Sequence, residues 1–432
     1  MPMSPSFAAR FEPIARDVTE HFGTPFHLYD ERGIEETCAA FNDAFVDTDY
    51  REFFAVKALP NPAVLGIVAR HGFGFDASSP AELAAAAAAG ATGADICFTS
   101  NNTPEDELVA ALDVGALVTI DDEAVLDRLL GLGAPPKRLA FRLHPSAADG
   151  TVPTGMLGDT ESAKFGIPAD RLVPAVTAAL AHGVEDVGLH LMRGSQLMHA
   201  EPFSRTLDTL LDLAVRLRDR TGVAVSSVNL GGGIGIPYRP AETPFDLKGF
   251  GATITARLRR WERDAGQRRP RLHLESGRAV TGPHGILVTK VINRMRKART
   301  MIGVDAGMSA LMRPALYGAY HHLTVLGGQS RATELVDVVG SLCENNDKLA
   351  VQRELPRTDV GDLVIVHDTG AHGWSMGFTY NGRLRPQELL LHADGSVSRI
   401  RRAETVADQQ ATLRFPASVL PSRRNRSTVR HP

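Results

Sequence analysis

The chain has 432 residues, long for one domain, and 43% of them are hydrophobic, which excludes global disorder and suggests two domains. A formal net charge of -3 at pH 7 offers no electrostatic basis for a nucleic-acid partner. The three cysteines (Cys38, Cys97 and Cys343) are too widely spaced for a metal cluster or a secreted disulfide framework. No uninterrupted apolar run is long enough to cross a bilayer, and the first residues lack the apolar core of a signal peptide, so a soluble, cytoplasmic protein without a membrane partner is predicted.

In chain order, Phe26-His27-Leu28-Tyr29 is the first predicted strand, and Asp30 is placed to cap a helix over about 32–46. Next comes Glu52-Phe53-Phe54-Ala55-Val56-Lys57, a short apolar run bounded by Pro60 and Pro62, which reads as a buried strand ending in a lysine. Desolvation lowers a lysine pKa and favours the neutral amine, the form that makes a Schiff base with a carbonyl group. A lysine that reaches past the strand end into water is the commoner alternative. Helices are then predicted over about 61–71, 80–89, 104–113, 123–131, 169–182, 202–220 and 248–265. Between them lie short apolar strands beginning at about 73, 95, 117, 138, 187, 225 and 271, with a longer polar loop at about 145–163.

With the Lys57 strand, eight strands alternate with helices over about 230 residues. This pattern requires parallel strands with helical crossovers, and the count favours a closed (β/α)8 barrel over an open doubly wound sheet. Beyond about 282 strands follow one another with few helices, near 285–293, 301–305, 322–327, 334–339, 363–367 and 388–392, and Ala393-Asp394-Gly395-Ser396 reads as a hairpin turn. The expected organisation is an N-terminal segment 1–30 whose strand could join the second domain, a barrel over 31–281, a β-rich domain over 282–415, and a basic tail over 416–432 that is predicted to be disordered.

Catalytic groups of such barrels collect at the C-terminal strand ends. Here those ends carry Lys57, Asp76, Arg142 to His144, His190 to Gln196, a glycine run from Gly231 to Gly235, and Glu275 to Arg278. Glycines after the seventh strand suit phosphate, because backbone N–H groups can approach it closely; a glycine turn without a ligand is the plainer reading. A buried lysine, a phosphate loop and a carboxylate at a strand end have one economical explanation, pyridoxal 5′-phosphate. Lys57 would hold the aldehyde, the glycines the phosphate, and Glu275 the pyridine nitrogen.

The same residues carry a resemblance. Phe54-Ala55-Val56-Lys57-Ala58, Gly188-Leu189-His190 with Gly194-Ser195-Gln196, Leu230 to Tyr238, and Glu275-Ser276-Gly277-Arg278 resemble the motifs of fold-type III pyridoxal-phosphate decarboxylases. The likeness is greatest to diaminopimelate decarboxylase. It continues through Val304 to Met308, Arg313 to His321, Gly340 to Asp347, and Tyr380-Asn381. The resemblance implies an alanine-racemase-type barrel, a following β-domain, and active sites shared across a homodimer. It assigns Lys57 to the Schiff base and His190 to the family's first histidine. Asp76, Met192 and Tyr380 fall near the cofactor, Ser195, Gly232, Gly233 and Gly235 at its phosphate, and Glu275 at its pyridine nitrogen. Arg278, Arg313 and Tyr317 match substrate-carboxylate positions. Cys343 and Glu344 match the pair that enters the neighbouring subunit's site, the cysteine as proton donor.

Several positions depart from the family pattern. Met192 stands where a ring-stacking histidine is usual, Arg193 replaces an apolar residue, and Ser276 replaces a proline. Asn345 and Asn346 stand within the Cys-Glu motif, and His372 replaces a tyrosine. Met192 shares a strand face with His190 and is expected against the pyridine ring. Arg193 is either an exposed surface arginine or an added substrate contact. The expected activity is therefore decarboxylation of an amino acid, with meso-diaminopimelate giving L-lysine and CO2. The alternatives are a specialised decarboxylase, as in siderophore or antibiotic biosynthesis, an amino acid racemase, and a non-catalytic cofactor-binding protein.

Overall fold

A computed structural model describes residues 3–133, 135–147 and 162–413. The tail predicted over 416–432 and most of the loop predicted over 145–163 lie outside the described residues. Among the described residues, no helix is long and apolar enough to cross a membrane.

The first strand, β1 (Phe26–Asp30), is followed by eight parallel strands: β2 (Tyr50–Ala55), β3 (Gly74–Ala77), β4 (Ile96–Thr99), β5 (Leu117–Ile120), β6 (Arg138–Arg142), β7 (Asp186–His190), β8 (Val225–Asn229) and β9 (Arg271–Leu274). Each pairs with the next, and β9 pairs with β2, so the barrel is closed, as the count of eight implied. The crossover helices begin where the sequence offers caps. Asn61 accepts from the Ala63 N–H at 3.1 Å ahead of Pro62, and Ser79 accepts from the Glu82 N–H at 3.3 Å ahead of Pro80. Phe54, Phe75, Phe98 and Phe141, from β2, β3, β4 and β6, are buried in one core with the helices around the barrel. At Asp30 the expectation fails. Its backbone occupies the cap position of α3 (Glu31–Ala44), but its carboxylate does not cap; it pairs with Arg10.

The second domain is built on β10 (Gly285–Arg296), β11 (Thr300–Val304), β12 (Leu323–Val325), β13 (Thr333–Val339), β14 (Lys348–Pro356), β15 (Leu363–Val366), β16 (Gln387–Leu391) and β17 (Val397–Arg401). Its main order is β14-β13-β11-β10-β1-β16-β17, with β15 pairing β10 and β12. The N-terminal strand β1 thus lies inside this sheet, antiparallel to β10 and parallel to β16. Two helices that the sequence reading missed, α1 (Pro5–Phe11) and α2 (Ala15–Phe22), cover the sheet with Phe7, Phe11 and Val18 against Phe26, Leu28, Ile286 and Leu389.

The two domains grip each other directly behind the lysine loop. Glu388 of β16 is fully buried and accepts hydrogen bonds from Tyr29 Oη at 2.6 Å, from Asn61 Nδ2 at 3.0 Å, and from Arg401. Arg401 Nη2 also donates to the Pro60 carbonyl at 3.1 Å. A buried carboxylate with this many donors fixes the loop from Lys57 to Asn61 against the second sheet.

Candidate active site

The strand ends converge on a cavity of about 200 Å3. Lys57, Met192, Ser195, Gly232, Gly233, Glu275 and Arg278 line it from the barrel, and Arg313, Tyr317, His372 and Met376 from the second domain. A wider basin of about 630 Å3 opens at the opposite, N-terminal mouth around Arg138, Asp186 and Arg271, and it contains none of the candidate residues.

Lys57 lies in a single 3-10 turn, Val56–Ala58, directly after β2. Its Nζ donates to Asp76 Oδ2 at 2.6 Å, and Asp76 is completely buried at the end of β3. The register places Ala55 beside Asp76, which brings the two side chains together. The lysine is not buried as expected: its side chain is 49% exposed where it lines the cavity, and the neutral amine expected from burial is not what this environment favours. Desolvation pulls the Lys57 pKa down, but the negative charges of Asp76 and Glu275 outweigh it, and the net shift is upward. Asp76 is pushed upward too, first by burial and then by Glu275, with Lys57 opposing.

His190 ends β7, is 1% exposed, and is held well below the usual histidine range, first by burial and then by the charge of Arg142. The ring is therefore neutral, with Nε2 3.5 Å from Glu275 Oε2. Glu275 follows β9. Its Oε1 accepts from Asn229 Nδ2 at 2.8 Å and from Thr99 Oγ1 at 3.2 Å. Its Oε2 has no hydrogen-bond donor among the described residues. Asn229 also accepts the Gly231 N–H at 2.8 Å, so one amide orients the carboxylate and starts the glycine loop.

That loop is shaped by close contacts. A Cβ on Gly232 would stand 2.3 Å from the Glu275 carbonyl oxygen, and one on Gly233, where φ is +101°, would stand 2.2 Å from the Gly194 carbonyl oxygen. Only glycine fits either place. The Leu197 N–H donates to the Gly233 carbonyl and the Gly235 N–H to the Leu197 carbonyl, both at 2.9 Å, which ties the Ser195 loop to the glycine loop. Gly235 packs against Met198 and Gln196 and does not line the cavity.

Where the barrel meets the second domain, Arg278 is hydrogen-bonded to Tyr238, and the Arg313 guanidinium lies 4.8 Å from the centre of the same ring. Burial, reinforced by Arg278, lowers the Arg313 pKa, although Tyr238 opposes the shift. His372 has a left-handed backbone (φ +57°) and is held well below the usual histidine range, by burial first and then by Arg278, Arg313 and Lys57. A neutral imidazole therefore faces this wall.

Met192 lines the cavity, on the face expected for it, although β7 ends two residues earlier than the predicted strand. Arg193 is not the exposed arginine of the plainer reading. It is 7% exposed, and it does not line the cavity. Cys343, Glu344 and Tyr380 do not line the cavity of their own chain either. They are exposed, and Asn381 beside Tyr380 accepts the Cys343 N–H at 2.8 Å, which joins the two stretches at one surface.

Sequence reasoning missed Asn229 and Thr99, and it noticed His372 without placing it in the site. The signal for Asn229 was present: like His190, it is a polar residue ending an apolar strand. Asn229→Ala removes a hydrogen bond to a charged group, about 1.5–3 kcal/mol, and is expected to lower kcat/KM about 10- to 150-fold. Steady-state kinetics on the holoenzyme check this.

Residues 31–282 match the family described as pyridoxal-dependent decarboxylase, pyridoxal binding domain. The chain belongs to the pyridoxal-dependent decarboxylases. Among relatives of this decarboxylase, Protein TabA of Pseudomonas amygdali pv. tabaci is 44% identical over 415 residues, covering 96% of this chain and 97% of that protein. The diaminopimelate decarboxylase of Methanothermobacter thermautotrophicus is 36% identical over 409 residues, covering 94% and 95%. The crystal structure of diaminopimelate decarboxylase from M. jannaschii in complex with L-lysine superposes with a TM-score of 0.85 at 30% identity, covering 93% and 94%. The chain is thus a pyridoxal-phosphate-dependent carboxy-lyase acting on an amino acid.

The cavity of this decarboxylase fits the cofactor. It offers an amine at Lys57, a glycine cradle beside Ser195, and a Glu275 oxygen left over for a donor. Among the described residues, Asp76 Oδ1 and both ring nitrogens of His190 are buried without hydrogen-bond partners, polar groups that a bound molecule can satisfy.

Proposed function

We propose that this decarboxylase removes the α-carboxylate of a diamino dicarboxylic acid, with meso-diaminopimelate as the first candidate and L-lysine as its product. Arg278, Arg313 and Tyr317 carry the reading, because they line the same cavity as Lys57 and Glu275. Two guanidiniums there suit a substrate that keeps a second carboxylate. The likeness to the diaminopimelate decarboxylase of M. thermautotrophicus supports the same substrate class.

Pyridoxal phosphate, when bound, supplies an electron sink for the carbanion left by CO2. Lys57 would anchor its carbonyl carbon, and Asp76 beside it would keep the released amine protonated. The N–H groups of Gly232 and Gly233, with Ser195, would hold the phosphate. Glu275 Oε2 would accept the proton-bearing pyridine nitrogen, and Asn229 and Thr99 keep that carboxylate in register. His190, neutral and buried, would close one side of the ring, and Met192 would pack against it with its thioether. Gly235 and Tyr380 would belong to the cofactor's surroundings. Cys343 of the partner subunit would return a proton to the α-carbon, and Glu344 of the partner subunit would meet the distal amine. Arg193 would act from behind the lining.

A second reading has its own support. Met192 and His372, both departures from the family pattern, line the cavity, and TabA is 44% identical along nearly the whole chain. A specialised decarboxylase of a related amino acid would use these two positions to read a different distal group. CO2 release separates the readings. The holoenzyme is given meso-diaminopimelate, citryl-amino acids and simple diamino acids in parallel. A kcat/KM for meso-diaminopimelate in the ordinary enzymatic range of about 10^4 M−1 s−1 or above supports the first reading; turnover confined to another panel member sinks it.

A further inference from the structure

We infer that Glu52, a carboxylic acid buried between β2 and α3, is a positioning residue for Glu275 that acts through the N–H of Ser276. The inference rests on the reading that Glu275 faces the pyridine nitrogen.

Glu52 is 1% exposed and forms no ion pair among the described residues. A carboxyl group in such a place is costly unless its hydrogen bonds serve something. Tyr50, on the same face of β2, donates to Glu52 Oε2 at 2.6 Å, and the backbone N–H of Ser276 donates to Oε1. Tyr50 stacks on Phe45, just past the end of α3, at 4.4 Å between ring centres, so this face of β2 looks outward to the helix layer. Glu52 therefore reaches the active site through Ser276, chiefly by the peptide unit that joins Glu275 to Ser276, with the Ser276 hydroxyl close by.

That peptide unit is clamped at both ends. Its carbonyl oxygen lies so close to Gly232 that a Cβ there would stand 2.3 Å away. Its N–H is taken by Glu52. On either side, the Glu275 N–H donates to the Gly231 carbonyl at 2.9 Å and the Ala55 N–H donates to the Ser276 carbonyl at 3.3 Å. Proline, which the family pattern places at position 276, has no N–H and could not make the bond to Glu52. The serine and the buried acid are thus two halves of one device.

The charge of Glu52 acts as well as its geometry. Burial pushes its carboxyl up to about 7; Tyr50 and Ser276 oppose, and Glu275 adds to the rise. The two acids therefore feel each other across the barrel wall. Tyr50, Cys38 of α3, Ser276 and Glu275 are the polar or titratable groups facing Glu52. Above about pH 7, where Glu52 is ionised, its negative charge adds to that of Glu275 in favouring a proton on the bound pyridine nitrogen.

The test uses holoenzyme variants Glu52→Leu, Glu52→Gln and Ser276→Pro, with Glu275→Gln as reference. The readouts are the dissociation constant of pyridoxal phosphate, the pH titration of the bound-cofactor absorption band, and the melting temperature. Ser276→Pro and Glu52→Leu are expected to weaken cofactor binding about tenfold, the scale of one hydrogen bond to a charged group. Glu52→Gln keeps an acceptor for the N–H. It should hold its affinity within about threefold, yet shift the absorption titration to lower pH. Wild-type affinity and titration in Ser276→Pro and Glu52→Leu, with Glu275→Gln altered, would overturn the inference while leaving Glu275 in place. A lowered melting temperature with both other readouts unchanged would overturn it as well, since Glu52 would then be only structural. An unaltered Glu275→Gln would remove the reading of Glu275 and this inference with it. If Glu52→Leu does not fold, Ser276→Pro and Glu52→Gln decide the matter alone.

Discussion

Lys57→Ala is expected to abolish covalent attachment of the cofactor and reduce decarboxylation to background. The alanine keeps the 3-10 turn after β2 but removes the only amine that lines the cavity among the described residues. It also leaves Asp76, completely buried, without the cation that partners it. The loss has two parts. Without the amine there is no anchor for the cofactor's carbonyl carbon, and a group poised to move protons, which contributes on the order of 10^2- to 10^4-fold by itself, is also gone. Borohydride treatment followed by mass measurement of the protein reads the first part; CO2 release reads the second. A Lys57→Ala protein that still acquires the reduced cofactor's mass would remove this lysine from the anchoring role.

Mixing two inactive proteins, Lys57→Ala and Cys343→Ala, is expected to restore about a quarter of wild-type activity. Cys343 and Glu344 are exposed and absent from the lining of their own chain's cavity, while Leu316 and Tyr317 beside that cavity are 53% and 45% exposed. A two-fold dimer that brings the Cys343 surface of one chain to the cavity of the other would complete both sites. Random exchange makes about half the dimers hybrid, and each hybrid holds one intact site of two, hence about one quarter. Light scattering establishes the dimer, and mass spectrometry of differently tagged chains establishes exchange. Full exchange without recovered activity would argue that each chain works alone.

Much of the site was legible because the fold concentrates polar groups where apolar strands end. Lys57, His190 and Glu275 stood out on that ground. What was not legible depends on register or on neighbours far along the chain. The protonated state of Lys57 follows from Ala55 lying opposite Asp76, a pairing that spacing alone does not give. Strand β14 was missed because its alternation is broken: its register against β13 shifts twice, and Gln352 has φ +45°. Helices α1 and α2 were missed because they are short and interrupted at Pro13, and their apolar faces make sense only against the sheet they cover. Arg193 was misread for a related reason. Sequence spacing sets the direction of a side chain within a strand, but β7 stops at His190, and beyond it the strand alternation no longer fixes where Arg193 points.

The position of β1 also constrains how the molecule is made. Its parallel partner β16 begins 361 residues later (387 − 26), the full length of the barrel and most of the second sheet away. At about 5–20 residues per second, a ribosome needs roughly 20–70 s to deliver that partner. Throughout this interval the nascent chain carries an apolar strand with at least one edge unfilled, and with both unfilled until β10 is made; the strand includes Phe26 and Leu28, which are wholly buried in the finished protein. The window for misassembly is therefore set by the speed of translation and by whatever shields that strand, not by the stability of the completed fold.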